Sequence, residues 1–304
     1  MNYNENIIID QIDEQHIGLR IDSVLADILN IPRNRIQHLL KDKLVRINGD
    51  YVAKNYKIKA GDCAEITVPE KKAVEVSVAD APINVIYEDD HIVVVDKPSN
   101  LVVHPGAGKE SESVVGALLY RGVELSNIGA LMRPGVVHRI DKNTSGLIVL
   151  AKNDEAHFLL AKQFFNHTIK RKYIGIVTGH LKEQAGKVDA PIGRNRKNRK
   201  IFAIDKNGKD AVTHFKVIKR LNGMDLVKFE LETGRTHQIR VHMSHIHHAL
   251  VGDSTYGGRK DNMKRQALHA FYLGFIHPAT KKYISFYSPL PEDIKRLIKQ
   301  GGCL

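Results

Sequence analysis

The sequence predicts an α+β protein in two parts: a small module of helices and hairpin strands, then a larger domain with a largely antiparallel mixed sheet and flanking helices. Three observations carry this expectation. Two short amphipathic helices and a few small strands share about 55 residues near the start. A charged, proline-punctuated stretch follows, with Pro69-Glu70-Lys71-Lys72 at one end and Ala79-Asp80-Ala81-Pro82 at the other. Beyond it, strands and helices follow one another without the strict alternation of a parallel α/β fold. The expected boundaries are 1–75 for the module, with its core at 16–72, and 76–304 for the larger domain.

Taking the elements in order, residues 20–30 set Ile21, Val24, Leu25, Ile28 and Leu29 on one helical face. Pro32 punctuates that helix. A second turns Ile36, Leu39 and Leu40 inward and carries Arg33, Arg35 and Lys41 outside. Leu44 to Ile47, which includes Arg46, reads as a strand closed by Asn48-Gly49, the strongest short hairpin signal. Cys63 to Val68 reads as another strand. In the larger domain, 83–87 and 92–95 pair around a turn, and Val93-Val94-Val95 suggests a strand covered on both faces. Val136-Val137 and segments 147–151, 173–178, 211–218, 226–232 and 283–287 also read as strands. Helical patterns occupy 113–120, 154–165, 238–246 and 291–299.

Composition narrows the function. The chain of 304 residues is 42% hydrophobic and 26% charged, enough to bury a real core. Its 46 Lys and Arg against 34 Asp and Glu give a formal charge of +12, for which a nucleic acid is the default partner. Cys63 and Cys303 are the only cysteines and form no CxxC pair, which excludes a disulfide scaffold and a thiolate zinc site. The start lacks the build of a signal peptide, and no apolar run reaches the about 20 residues that span a bilayer, so a cytoplasmic protein with no membrane association is expected. His237, His242, His245, His247 and His248 invite a metal-dependent hydrolase, yet no Asp, Glu or Cys stands in ligand spacing beside them. No cofactor and no metal are expected.

The most suggestive segment runs from Val137 to Leu147. Asp141 opens a stretch of turn and cap formers between apolar runs, preceded by His138-Arg139 and followed by Thr144-Ser145-Gly146. A carboxylate on a loop between two buried strands can be held rigidly towards a cleft. Taken singly, a loop Asp is more often a cap or turn residue. A second segment, Arg194 to Lys200, puts five cations (Arg194, Arg196, Lys197, Arg199 and Lys200) in seven residues between two apolar strands. It reads as a basic loop facing RNA, the alternative being a solvated loop.

His138-Arg139-Ile140-Asp141-x-x-Thr144-Ser145-Gly146-Leu147 closely resembles the H-R-L-D-x-x-T-S-G-L signature of the RluA-type pseudouridine synthases. Further segments match along the chain: Lys97-Pro98 to His104-Pro105, Lys170-Arg171-Lys172-Tyr173, Thr233 to His242, Gly252-Asp253, and Leu268 to Pro278. With Arg133-Pro134-Gly135 before the signature, the chain looks most like the RluD branch, which modifies large-subunit ribosomal RNA. The order of the first elements, with Arg20-Ile21-Asp22, Arg35-Ile36-Gln37 and Val45-Arg46-Ile47-Asn48-Gly49, resembles the S4 RNA-binding domain. Lys43 stands where that domain usually has Gly.

The resemblance implies an enzyme that isomerises uridine to pseudouridine in RNA, most of all in large-subunit ribosomal RNA or a ribosome precursor; a monomer is expected. It implies Asp141 as nucleophile, Tyr173 against the target base, and Arg235 as the cation beside Asp141. A carboxylate that must stay ionised where water is excluded needs such a cation. Since the uridine must leave its stack, Arg139 is the candidate to fill the vacated space. The RNA-contacting set expected is His138, Arg139 and Thr144 by the signature, Gln238 and Arg240 in the third motif, the basic loop, and Arg33, Arg35, Lys41 and Arg46 of the module. A noncatalytic S4-type ribosome-assembly factor is the alternative, which would tolerate any residue at 141, 173 and 235.

Overall fold

The structure is a computed structural model and describes residues 5–29, 33–68, 78–105, 112–127, 133–195, 198 and 201–302. Four cations of the expected basic loop (Arg196, Lys197, Arg199 and Lys200), the turn at Pro32, linker residues 69–77 and the side chain of Arg35 lie outside the described residues. The chain divides into two compact units, Met1–Lys72 and Ala73–Leu304.

The first unit contains β1 (Glu5–Ile9), α1 (Ile21–Ile28), α2 (Arg33–Lys41), β2 (Val45–Ile47), β3 (Asp50–Tyr51) and β4 (Ala64–Val68). Its antiparallel sheet runs β1-β4-β2-β3. Ile21, Val24 and Leu25 of α1 and Ile36, Leu39 and Leu40 of α2 pack on Val45, Ile47, Ala64 and Ile66. Ile28, expected inside, is exposed. Asn48 and Gly49 both take positive φ, 51° and 84°, as a hairpin turn of this hand requires. Lys43 also sits at φ 57°, so the helix end takes the left-handed conformation that Gly favours even with a side chain present.

The second unit is built on nine strands: β5 (Asn84–Glu88), β6 (Ile92–Lys97), β7 (Ser145–Ala151), β8 (Lys170–Thr178), β9 (Ala185–Asp189), β12 (Val212–Leu221), β13 (Met224–Leu231), β14 (Leu268–Ile276) and β15 (Tyr283–Tyr287). They run β5-β6-β7-β14-β8-β13-β12-β9, with β15 on β14, and the small hairpin β10 (Ile192–Arg194) and β11 (Phe202–Ile204) stands apart. Only β7 and β14 pair in parallel among the described strands. The helices are α3 (Val114–Tyr120), α4 (Asp154–Phe165), α5 (Gln238–His245) and α6 (Glu292–Gly301). Among the described residues, no helix is long and apolar enough to cross a membrane.

The central strands are buried on both faces. Val93 and Val95 of β6 and Ile148 and Leu150 of β7 join one core with α3 and with Ile239 and Met243 of α5. Their neighbours Ile92, Val94, Leu147 and Val149 join another with Ala156 and Leu160 of α4. Two expectations fail here. Val136-Val137 makes a single bridge to Leu150 rather than a strand, and β14, at the centre of the sheet, was not foreseen. Its His269 and Gly274 break the apolar run that marks a buried strand, and long-range pairing supplies what local pattern lacks.

The parallel contact joins Ser145 and Gly146, where β7 begins, to His269 and Ala270. Gly146 has φ 111°, and a Cβ there would run into the Ala270 backbone. This approach sets the end of the loop that carries Asp141. Gly146→Ala is expected to lower stability by about 2–4 kcal/mol through strain and displacement together. Urea unfolding of the full chain reads this, and an unshifted midpoint would show that the strands can separate freely.

Candidate active site

The loop before β7, the start of β8, the turn into α5 and the end of α4 all border one cleft of about 470 Å³. Asp141 lies in it with 16% of its side chain exposed. Arg240, on the first turn of α5, donates from Nη1 to Asp141 Oδ2 at 3.1 Å. Its Nε and Nη2 donate to the two oxygens of buried Asp253 at 2.7 and 2.9 Å. Burial alone pulls the pKa of Arg240 down, but the Asp253 and Asp141 carboxylates reverse this and hold it above its ordinary value. One guanidinium therefore serves two acids.

His237 Nε2 stands 3.8 Å from Asp141 Oδ1, too far to hydrogen-bond. Its Nδ1 is 2.8 Å from Tyr256 Oη, which accepts from Phe202 N. The phenol proton is thus available to Nδ1, which leaves the ring proton on Nε2 facing the carboxylate. Burial pushes the His237 pKa down, partly opposed by Asp141, so the ring is neutral near pH 7. Tyr173 is buried in the cleft; burial raises its pKa, Arg171 works against that and Asp141 with it, and the phenol keeps its proton. Arg171, 7% exposed, lies over the Phe164 ring and leaves Nε without a partner.

The loop itself is clamped from behind, segment by segment. Lys97 Nζ, with no exposed surface, donates to the carbonyls of Pro98, Leu101 and Lys142 at 2.9, 2.8 and 2.9 Å. Arg265 donates from Nη1 to the Asn143 carbonyl at 3.1 Å and is itself held by Asp293 of α6. Gln266 Nε2 donates to Thr144 Oγ1, and His269 Nδ1 lies 3.0 Å from Ser145 Oγ. Four successive residues after Asp141 are thus tied to β6, β14 or the segment before β14.

Several expected site residues have other work. The cation beside Asp141 is Arg240; Arg235, expected there, lines the cleft and donates from Nε to the Asp210 carbonyl at 2.8 Å. Arg240 and Gln238 were expected to touch RNA. Arg240 is committed to two carboxylates, and buried Gln238 bonds Thr233, Val212, Thr213 and the Arg235 backbone. Thr144 is buried, and His138 stacks on Phe164 with ring centroids 4.4 Å apart while its Nε2 accepts from Val149 N. That enclosure, with Arg171 nearby, pushes the His138 pKa down to about 3. These are roles within the protein. Arg139 is exposed at the cleft. Arg194 sits over the Phe202 ring.

In the first unit, Arg33 donates to buried Asp22, as do Arg20 and Gln37. Burial favours protonated Asp22, yet these donors outweigh it and depress its pKa. Arg33 is thus part of a structural network. Lys41 and Arg46 are exposed, Arg46 against Tyr51. His242 bonds Thr213 and the Ala190 carbonyl, and among the described residues no three His, Cys, Asp or Glu side chains group as a metal site would require.

The sequence profile of RNA pseudouridylate synthases matches residues 91–245. An uncharacterized RNA pseudouridine synthase of Bacillus subtilis is 46% identical over 94% of this chain and 95% of its own length. The ribosomal large subunit pseudouridine synthase D of Zymomonas mobilis is 44% identical, covering 94% and 95%. Among solved structures, human RNA pseudouridylate synthase domain containing 1 superposes with a TM-score of 0.60 at 26% identity, over 72% of this chain and 89% of that one. The chain belongs to the RNA pseudouridylate synthase family, of the RluA type. It is an RNA pseudouridine synthase, which isomerises uridine to pseudouridine.

Lys97 offers a test of the clamp. Lys97→Met leaves three carbonyls, that of Leu101 buried, without their donor and is expected to destabilise the protein by about 3 kcal/mol in urea unfolding. Burial lowers the Lys97 pKa from 10.5 to about 7, with Arg265 assisting and Asp141 and Asp96 opposing. Above about 7 the folded chain gives up a proton, and with it one of the three Lys97 donors, that the unfolded chain keeps up to 10.5, so this residue makes stability rise with pH over that window. The variant should lose that rise; an unchanged slope would assign the pH dependence to other groups.

Proposed function

We propose that this enzyme modifies uridines of large-subunit ribosomal RNA, with Asp141 as its nucleophile, and that the Met1–Lys72 unit is an S4-type RNA-binding module. The observation that carries the catalytic part is the ion pair of Asp141 with Arg240 inside a cleft that also holds Tyr173. The ribosomal substrate is supported by relatives such as the Zymomonas mobilis protein, whose name specifies the large ribosomal subunit. The S4-type reading is supported by the two-helix, Asn-Gly hairpin order and by exposed Lys41 and Arg46. A protein of this kind works where ribosomal RNA is, in the cytoplasm.

The reaction breaks the N1–C1′ bond and joins C1′ to C5, with one proton leaving C5 and one reaching N1. It is redox-neutral. Asp141 meets positive charge that develops at the sugar as the glycosidic bond breaks. Arg240 keeps the carboxylate aimed, and cannot swing away because Asp253 holds its other edge. Tyr173 closes over the base; as a protonated phenol it donates rather than accepts until a carboxylate or water relays its proton. Arg139, exposed beside Asp141, occupies the gap left by the flipped uridine.

A transcript of large-subunit ribosomal RNA carrying tritium at uridine C5 reports the reaction as released tritium. Asp141→Asn is expected to lose at least about 10³-fold in rate. Absence of release by the folded wild type, or equal release by the variant, rejects the assignment. The two arginines separate in the same assay. Arg240→Met should cost about 10²–10³-fold in kcat, and Arg235→Met less than about tenfold. The reverse order would return the role of cationic partner to Arg235.

A further inference from the structure

We propose that Phe165 and His167, at the end of α4, form a stacking platform for a base of the RNA that adjoins the target uridine. This rests on the reading of the cleft as the uridine site. Phe165 is 82% exposed, more than any other large apolar side chain among the described residues, and it borders the same cleft as Asp141. Its neighbour Phe164 turns inward to carry the His138 and Arg171 stack, so the two rings divide between protein and solvent. An exposed ring at the mouth of a site that takes RNA has an obvious occupant, since every base offers a π-face and stacking tolerates any sequence. Cationic Arg139 and Arg235 line the same cleft and suit the backbone that accompanies such a base.

The helix end holds a second, independent observation. Thr168 N donates to the Gln163 carbonyl at 3.1 Å and His167 N to the Phe164 carbonyl at 3.3 Å, the paired bonds of a Schellman cap. The residue that must be left-handed in such a cap is His167, at φ 56°, where Gly is usual and an imidazole is strained. The fold tolerates that strain at a residue that borders the cleft. A cap needs only the backbone; a ring at this place serves something outside the helix.

The chain has no tryptophan, so single-tryptophan variants report directly. Phe165→Trp should show fluorescence quenching when titrated with the large-subunit ribosomal RNA transcript. Phe158→Trp, on the same helix, 63% exposed and away from the cleft, should not. Phe165→Ala should raise KM for tritium release about tenfold with a smaller change in kcat, and Phe158→Ala should leave KM unchanged. His167→Gly distinguishes a cap from a platform: a merely structural residue would give an equal or higher Tm with KM unaltered, whereas the proposal expects that Tm with a raised KM. If the wild type releases tritium while Phe165→Trp is unquenched at saturating RNA, or while Phe165→Ala keeps the wild-type KM, the platform is rejected and the uridine site stands. If the wild type releases none, it is the reading of the cleft that falls.

Discussion

Arg240 is the side chain on which the arrangement of the cleft depends. Its guanidinium lies between Asp253, which is wholly buried, and Asp141, which keeps one edge in the cleft. Without Arg240, buried Asp253 would keep only the backbone donors of Thr255 and Tyr256 and no counter-charge, a condition that costs several kcal/mol. The bidentate pair removes that cost and fixes the plane of the guanidinium. Of the three N–H groups that remain, one on Nη1 is then aimed at Asp141 with little freedom. A carboxylate met by a cation already fixed elsewhere needs no reorganisation when charge develops at the substrate, which is the condition under which electrostatic stabilisation is largest.

The carboxylate is positioned from the opposite side by backbone. Lys97, Arg265 and Gln266 reach Lys142, Asn143 and Thr144 in turn, and Gly146 brings β7 against β14. None of these side chains touches the Asp141 carboxylate. Each removes a way for the loop to relax, and Asp293 carries the constraint outward to α6. The loop has almost no secondary structure of its own, so its rigidity comes from donors spread over more than 120 residues of sequence. An irregular loop can thus be held in one place by donors elsewhere in the fold.

That distribution also explains what could be read in advance. The helices at 154–165 and 114–120, the two-faced burial of Val93 to Val95, and the turn at Asn48-Gly49 follow from local periodicity and turn chemistry. Asp141 and Tyr173 stand out as candidates because each sits in a distinctive short motif, and the fold brings both to one cleft. Arg235 and Arg240 lie in a single motif five residues apart, and nothing local says which faces the acid. The choice is made by left-handed His237, which starts α5 and sends the two guanidinium groups in different directions. Lys97, Asp253 and Arg265 carry no catalytic signature at all, since their function is to be internal partners. Strand β14 escaped because its place in the sheet is earned by neighbours distant in sequence.

A net charge of +12 pointed to RNA, yet it says little about which cations meet it. Arg33 is committed to Asp22, Arg240 to two acids, Arg265 to Asp293 and three carbonyls, and Arg171 is enclosed beneath the cleft. These arginines order the protein first, a use that suits a planar, always-charged group with five donors. Lysines and arginines left at the surface, such as Lys41 and Arg139, set the long-range field that draws a polyanion in. Long-range attraction depends on how many charges there are, whereas the shape of the cleft depends on a few that have no freedom. Sequence counting sees the first population and the second together; their partners separate them, and for Arg171, Arg240 and Arg265 burial does too.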